Sequence, residues 1–260
     1  MARQPEGPPP PPVVQRVRVR YAKRGRLRFT SHRDFQRALE RALRRIQAPV
    51  AISAGFSPHP RISYANAAPT GAASEAEYLE IALAEPVEPD RLRATLDAAL
   101  PDGLDVVEVV QVRTPNLIER LEASLWRIEL PGVAPDDARA AVAAFLAGER
   151  VEVSRMTKSG LRTFDVRGAV VELGLQSAAD PADDTGGSGV VPVVDGGCAI
   201  LRLVVRHVTP AVRPDDVLAA LRSQALIAPP SPARMTRLAQ GPLDIQSGAV
   251  ADPLAADRAS

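Results

Sequence analysis

The sequence predicts an α+β fold built from two consecutive βαββαβ units, each with an antiparallel sheet. Two observations predict it: strand-like and helix-like periodicities alternate along the chain, and their order occurs twice. A length of 260 residues allows one large domain or two of ordinary size. A third observation is a stretch of Ala, Asp, Gly and Ser at 177–197, which predicts a flexible insertion between two strands of the second unit.

The first unit is predicted over residues 13–115, after a Pro-rich tail at 1–12 that we expect to be disordered. Apolar and basic side chains alternate through residues 13–29, which is the period of a half-buried strand. Helical spacing follows, with Ser31 as the predicted N-cap and Asp34 at the capping-box position. The remaining predicted elements are strands at 50–52, 61–65 and 77–83, a helix at 90–100 and a strand at 105–112.

The second unit is predicted over residues 120–240, and the fading periodicity of residues 241–260 predicts a loose C-terminal tail. Both orders of elements fit a ferredoxin-like unit, in which an antiparallel sheet carries both helices on one face. The predicted elements of the second unit are strands at 125–130, 151–156, 163–175 and 199–208, helices at 135–146 and 214–224, and a short final segment at 234–238.

Positive charge is concentrated in the first unit. Residues 16–61 contain 13 of the 32 Lys and Arg but only two of the 31 acidic residues, although the whole chain has a net charge of +1. Such a local field favours a polyanionic partner, most often a nucleic acid. Because 30 of the 32 basic residues are Arg, a composition typical of a GC-rich genome, the choice of Arg at one site carries less weight.

The predicted nucleic-acid contacts are basic residues of the first strand, the following turn and the first helix. Strand alternation is expected to point two of the arginines to the face of the sheet that the helices leave open. That the helix arginines are only the solvated side of an amphipathic helix remains an alternative. Phosphate contact is better supported than base stacking, since Tyr21 is expected to point inward, which leaves Phe29 and Phe56. The full set is Arg18, Arg20, Lys23, Arg24, Arg26, Arg28, Arg33, Arg37, Arg41 and Arg61.

Two histidines lie in this basic segment, and with Asp34 they are the candidate catalytic residues. His32 lies at the predicted helix start, where free backbone N–H groups favour anions, and it could contact a phosphate or transfer a proton. His59 is held between Pro58 and Pro60, which restrict the backbone. Purely structural roles for both remain alternatives. Two histidines and a carboxylate could also hold a metal, but spacing does not establish that they converge, and no metal is predicted.

Other residues of these motifs are expected to shape the backbone. Gly55 permits a positive φ before Phe56 and Ser57, and the prolines then make the turn rigid. Glu75 and Glu77 lie on one face of a predicted strand, where salt bridges to neighbouring basic residues are favoured over a catalytic carboxylate pair.

Several classes of function are disfavoured. A single cysteine, Cys198, excludes an internal disulfide and a Cys-ligated zinc or iron–sulfur cluster within this chain. No Walker sequence and no Gly-x-Gly-x-x-Gly loop is present, so no cofactor is predicted. No apolar run approaches the roughly 18 residues of a membrane helix, and the N-terminus lacks a signal-peptide pattern. A cytoplasmic protein without a membrane partner is therefore expected.

Four short segments form a distinctive set: Tyr21-Ala22-Lys23 with Gly25, residues 27–34 (LRFTSHRD), residues 55–62 (GFSPHPRI) and residues 74–78 (SEAEY). Together they resemble the radical SAM-linked protein family, a bacterial domain of unknown function found alone or fused C-terminal to a radical SAM enzyme. The resemblance covers roughly residues 14–240.

The resemblance implies a separate radical SAM enzyme as a partner. This chain has no Cys-x-x-x-Cys-x-x-Cys motif, so the radical chemistry is not expected to reside in it. With the basic segment, this predicts an RNA-binding accessory protein in tRNA or rRNA modification or processing. Two alternatives remain: an RNA-processing enzyme that uses His32 and His59 as acid and base, and a protein-interaction module that docks on an acidic partner.

Overall fold

The computed structural model describes residues 11–54, 56–157, 160–176, 197–225, 227 and 229–258. They form a mixed α/β fold with a mostly antiparallel sheet, which confirms the predicted class. The chain divides into two compact units, Met1–Ile118 with Pro253–Ser260, and Glu119–Asp252. The predictions for residues 1–10, for Gly55 and for residues 177–196 lie outside the described residues.

Helices and strands alternate along both units. In chain order they are β1 (Gln15–Lys23), a 3₁₀ helix (Gly25–Phe29), α1 (His32–Arg45), β2 (Ile62–Ala65), β3 (Ala73–Leu83), α2 (Pro89–Ala99), β4 (Leu104–Gln111), α3 (Leu117–Arg120), β5 (Ala123–Pro131), α4 (Pro135–Ala147), β6 (Glu152–Thr157), β7 (Gly160–Asp165), a 3₁₀ helix (Arg167–Ala169), β8 (Val170–Leu175), β9 (Cys198–Arg206), α5 (Pro214–Ala225), β10 (Arg234–Gly241) and α6 (Ala255–Arg258). No described helix is both long enough and apolar enough to cross a lipid bilayer.

In the first unit β1 lies between β3 and β4, and β2 pairs with β3, all antiparallel. Alternation along β1 buries Val17, Val19 and Tyr21 in a core shared with Phe35 and Leu39 of α1. The predicted first strand extends too far, because the backbone of residues 25–29 turns into a 3₁₀ helix. The predicted strand at 50–52 is reduced to two isolated bridges, Val50 with Leu83 and Ile52 with Pro60.

In the second unit β5 lies between β9 and β10, and β8 pairs with β9, again antiparallel. β6 and β7 form a separate two-stranded sheet. The single strand predicted at 163–175 is instead divided into β7 and β8. The reason is local: the Asp165 carboxylate accepts backbone N–H bonds from Val151, Arg167 and Gly168, which closes a turn between the two strands.

The C-terminal segment, predicted as a loose tail, contributes an ordered element to the first unit. Leu254 and Asp257 are buried, at 0% and 2% exposure. The Asp257 carboxylate accepts hydrogen bonds from the backbone N–H groups of Arg113 and Thr114 and from the Thr114 hydroxyl. The contacts of Asp257 are polar and join residues 143 and 144 positions apart, so the hydrophobic periodicity of the sequence does not predict them.

Candidate nucleic-acid interface

The 3₁₀ helix Gly25–Phe29 is fixed at its start by Arg24. The Arg24 guanidinium donates to Glu75, with Nε 2.8 Å from Oε1, and to Asp105 at 2.9 Å. Hydrogen bonding to Glu75 and the charges of both carboxylates raise the pKa of Arg24. The Arg24 backbone N–H also donates to the Gly103 carbonyl at 2.8 Å. Arg24 therefore holds the turn in place, and its guanidinium is already paired with two carboxylates.

The end of the same 3₁₀ helix is fixed by Gly71. The Gly71 N–H donates to the Arg28 carbonyl at 2.8 Å, and the Thr30 N–H donates to the carbonyl of Leu27. Gly71 has φ +97°, a backbone conformation that favours glycine. The segment that links β1 to α1 is thus anchored at both ends.

The anchored segment exposes Phe29, and Arg28 beside it is half-buried. The Phe29 ring is 60% exposed, although it is a large apolar group. The guanidinium carbon of Arg28 lies 4.7 Å from the centroid of that ring, in cation–π geometry. Arg26, two residues earlier, is exposed.

The outer side of α1 carries an arginine row. Arg33, Arg37 and Arg41 are exposed, and Arg37 lies 3.8 Å from the Asp34 carboxylate, a surface pair worth little. Among the described residues, Arg33 and Arg41 form no ion pair. We call Arg26, Arg28, Arg33, Arg37 and Arg41 together the basic face.

Five predicted nucleic-acid contacts lie outside the basic face: Arg61, close to His59 in the sequence, and four residues in or directly after β1. Arg18 is 1% exposed and donates to Asp257 at 2.5 Å, so its assignment as a phosphate contact is corrected. Lys23 is also buried, with Nζ 3.5 Å from the Pro69 carbonyl, and Arg24 is held by two carboxylates. Arg20 is half-buried and donates to the Glu75 carbonyl. Strand alternation gives the direction of a side chain, but not whether another segment covers it.

His32 is exposed at the first position of α1. Its Nε2 lies 3.1 Å from the Gln36 amide nitrogen, and its ring meets Tyr64 edge-on, with the centroids 5.1 Å apart. Tyr64 in turn contacts Phe35, which stacks on Tyr21 at 4.3 Å. Through these ring contacts His32 packs against the core of the first unit.

Tyr64 was not identified from the sequence, in which it is only one aromatic residue of a short predicted strand. Its hydroxyl is buried and has no hydrogen-bond partner among the described residues. Burial, followed by the charge of Glu40, raises the pKa of the Tyr64 phenol. Buried hydroxyl groups in folded proteins usually have a hydrogen-bond partner, so the hydroxyl of Tyr64, whose ring contacts His32, is an exception.

His59 lies in a hairpin whose described residues are 51–54 and 56–61. The hairpin is closed by the Ser53 N–H, which donates to the His59 carbonyl at 2.9 Å, and by the Arg61 N–H, which donates to Ala51. The Ser53 hydroxyl accepts the His59 N–H and lies 2.9 Å from His59 Nδ1. The Ser57 carbonyl is 3.3 Å from the same nitrogen. Ser53 is a second residue that sequence reasoning missed.

The side chains of this hairpin are largely open to solvent. Phe56 is 70% exposed, and Ser57, Pro58 and Arg61 are also exposed, whereas Pro60 is half-buried. The rigid turn therefore presents the His59 imidazole at the surface.

The candidate catalytic residues are not joined to one another by hydrogen bonds. His32 and His59 share no hydrogen bond or ring contact within the described residues, and each bonds to its own neighbours. Asp34 belongs to the helix cap: its N–H donates to the Ser31 hydroxyl, which in turn donates to the Asp34 carboxylate at 2.7 Å. In the described part of the chain, no three His, Cys, Asp or Glu residues are grouped to hold a metal ion.

Two of the three glutamates of β3, Glu75 and Glu77, are buried. Glu75 is 5% exposed and pairs with Arg24, and Glu77 is 2% exposed and accepts the Ala68 N–H at 3.1 Å. The salt bridge that the sequence favoured for Glu75 is therefore present.

Two comparisons with known proteins bear on identity. No curated protein matches this sequence. A family model described as "uncharacterized protein conserved in bacteria" (DUF2344) matches residues 16–214, a span that contains most of both units and every candidate site residue. The chain therefore belongs to this family of uncharacterized proteins conserved in bacteria.

Proposed function

We propose that this protein binds RNA through the basic face and acts as an accessory subunit of a separate radical SAM enzyme in RNA modification or processing. The observation that carries the proposal is the lack of acidic partners: within the described residues, Arg37 is the one member of the basic face that lies within 4.0 Å of a carboxylate. Exposed arginines without acidic partners attract phosphates and release counterions when they bind them.

The enzymatic partner rests on the resemblance to radical SAM-linked proteins. Membership of an uncharacterized bacterial family is compatible with it. With one cysteine in the chain, the thiolate set of a radical SAM cluster would have to come from the partner. In this arrangement the present chain holds the substrate and the partner performs the reaction.

Within the described residues His32 and His59 share no hydrogen bond, so independent acid–base catalysis by this pair has no support from a shared contact. A histidine pair that acts on one phosphodiester needs both rings within reach of the same substrate atoms. His32 bonds to Gln36, whereas His59 bonds to Ser53. We assign to His32 and His59 the role of contacting the RNA beside the basic face.

We also propose that each unit is ferredoxin-like. The antiparallel pairings of the first unit, β4 with β1, β1 with β3 and β3 with β2, support this topology. The pairings β10 with β5, β5 with β9 and β9 with β8 repeat it in the second unit. The β6–β7 hairpin would then be an insertion before the second strand of that unit.

A titration with fluorescent RNA at several salt concentrations tests RNA binding. The full chain is expected to bind with an affinity that falls steeply as salt rises. In a triple variant, Arg33→Gln, Arg37→Gln and Arg41→Gln, the slope of log affinity against log salt should become shallower by about 2, because about 0.7 counterion is released per phosphate of a single strand. An affinity that does not depend on salt would refute phosphate contact.

A matched control removes the same charge at other places. Arg91, Arg162 and Arg222 are exposed and form no ion pair within the described residues. Their triple change to Gln should leave the slope near that of the wild type, whereas an equal decrease would mean that net charge, not the basic face, controls binding. Co-purification of the tagged protein with and without nuclease then separates an RNA-bridged partner from one that binds directly.

A further inference from the structure

We infer that Arg28 and Phe29 form a stacking platform for one unpaired base, which selects single-stranded over double-stranded RNA at the basic face. This inference rests on the proposed RNA binding and adds the kind of RNA that the site takes. It adds base stacking at a site for which the sequence supports phosphate contact better than base stacking.

The first support is the layered geometry of the two side chains. A phenyl ring that is 60% exposed lies under a guanidinium whose carbon is 4.7 Å from the ring centroid. Unstacked RNA bases pack on aromatic rings and on guanidinium planes, so a base can extend this stack by one layer. The stack is sequence-tolerant, because every base has a π face.

The second support is that the platform is held rigidly before any ligand binds. Arg24, just before the 3₁₀ helix, is fixed by Glu75 and Asp105. At its other end the Arg28 carbonyl accepts the Gly71 N–H. An exposed aromatic side chain on a fixed backbone loses little conformational entropy when a ligand stacks on it.

The third support is the charge on both sides along the chain. Arg26 precedes the platform and Arg33 follows it, and among the described residues neither forms an ion pair. His32, three residues after Phe29, is exposed at the helix start. Phosphates on either side of a stacked nucleotide would thus meet a cation, whereas the faces of the bases in a duplex are covered by their neighbours.

Fluorescence anisotropy at one fixed salt concentration tests the inference with three probes of equal length. The probes are a single-stranded RNA, the same strand with abasic sites, and the blunt duplex of that sequence. The intact strand is expected to bind roughly 5- to 150-fold more tightly than the abasic strand, the range for one stacked base. The duplex should bind close to the abasic strand, since both offer phosphates without open base faces.

Variants assign this preference to a residue. Phe29→Leu keeps an apolar side chain and should abolish the preference for the intact strand, and Phe29→Tyr should retain it. Phe56→Leu changes the other exposed phenylalanine, 70% exposed, and should leave the preference unchanged. Loss of the preference in Phe56→Leu instead of Phe29→Leu would overturn the assignment.

The outcomes also separate the two proposals. Wild-type protein that binds all three probes equally, with a steep salt dependence, would overturn the stacking platform and leave phosphate contact standing. Wild-type protein that binds none of them would overturn both and would favour docking on an acidic protein partner.

Discussion

The Arg18 guanidinium lies 2.5 Å from the Asp257 carboxylate, although the two residues are 239 positions apart in the chain. Both side chains are buried, at 1% and 0% exposure, and Thr114 bonds to both of them. The pair joins the middle of β1 to the short helix α6 within the first unit.

Asp257→Asn should therefore lower the free energy of unfolding by about 2 kcal/mol, because it removes the closer of the two carboxylates that pair with the buried Arg18 and leaves Glu80, 3.4 Å from Arg18 Nε. The midpoint of urea unfolding measures this loss. A matched control is Arg258→Gln on the same helix, which removes an exposed pair with Glu108 and should cost less than about 1 kcal/mol. Equal midpoints for Asp257→Asn and the wild type would show that the buried pair contributes nothing to stability.

Acid should weaken the same contact. Burial alone would raise the pKa of Asp257, but hydrogen bonds from Arg113, Thr114 and Arg18 lower it to about 2. A carboxylate with a lowered pKa stabilises the fold above its unfolded value of 3.8, and this contribution is lost as the pH falls towards 2. We expect about 1–2 kcal/mol of stability to disappear between about pH 4 and 2 in the wild type but not in Asp257→Asn. A parallel pH dependence of the two proteins would exclude this origin.

His207 should give the second unit a separate pH dependence. Burial lowers the pKa of His207 below its ordinary value of 6.5, and its Nδ1 lies 2.6 Å from the Leu121 carbonyl. A histidine with a lowered pKa stabilises the fold fully above pH 6.5, and this contribution falls as the pH falls below that value. The decrease in thermal unfolding temperature from pH 7.5 to pH 5.5 should be smaller in His207→Gln than in the wild type. His59→Gln, at an exposed site, should behave as the wild type does.

Gly71→Ala should destabilise the protein by at least about 1 kcal/mol, because a side chain is strained at φ +97°. Space is not the reason: an added Cβ would meet its nearest atom, of Phe29, at an ordinary 4.0 Å. Gly174→Ala is the matched control, since Gly174 has no atom within 4 Å of an added Cβ and lies in strand β8. If both changes had the same small effect on the unfolding midpoint, Gly71 would not fix the 3₁₀ helix.

Tyr64→Phe should leave stability unchanged or raise it by up to about 1 kcal/mol, since it removes a buried hydroxyl without a partner among the described residues. The ring contacts to His32 and Phe35 remain in this variant. Tyr64→Leu removes these contacts and should lower the unfolding midpoint. A large loss of stability in Tyr64→Phe would mean that the hydroxyl has a partner in solution.

The parts of the fold that could be predicted from sequence are those with local causes. Alternation along β1 placed Val17, Val19 and Tyr21 in the core, and the Ser-x-x-Asp pattern located the start of α1 at Ser31. The class of the fold followed from the order of such segments. A turn made by one side chain, such as Asp165 between β7 and β8, interrupts a strand without changing its hydrophobic pattern.

The same distinction between local and long-range causes applies to the candidate site. The exposure of Arg33, Arg37 and Arg41 follows from the apolar stripe of α1, which must face the core. The burial of Arg18 does not, because its closer carboxylate partner, Asp257, lies near the other end of the sequence, and Glu80 is the second. The number of basic residues in a segment does not distinguish a cation that is free to bind a ligand from one that a carboxylate neutralises within the fold.

The sequence separation of Arg18 and Asp257 also has a consequence for synthesis on the ribosome. At roughly 5–20 residues per second, about 10 to 50 seconds pass between the appearance of the arginine and that of its counterion. During that interval Arg18 lacks Asp257, the closer of its two carboxylate partners among the described residues, and the whole of the second unit is made. A chaperone would find an incomplete first unit to bind throughout this period.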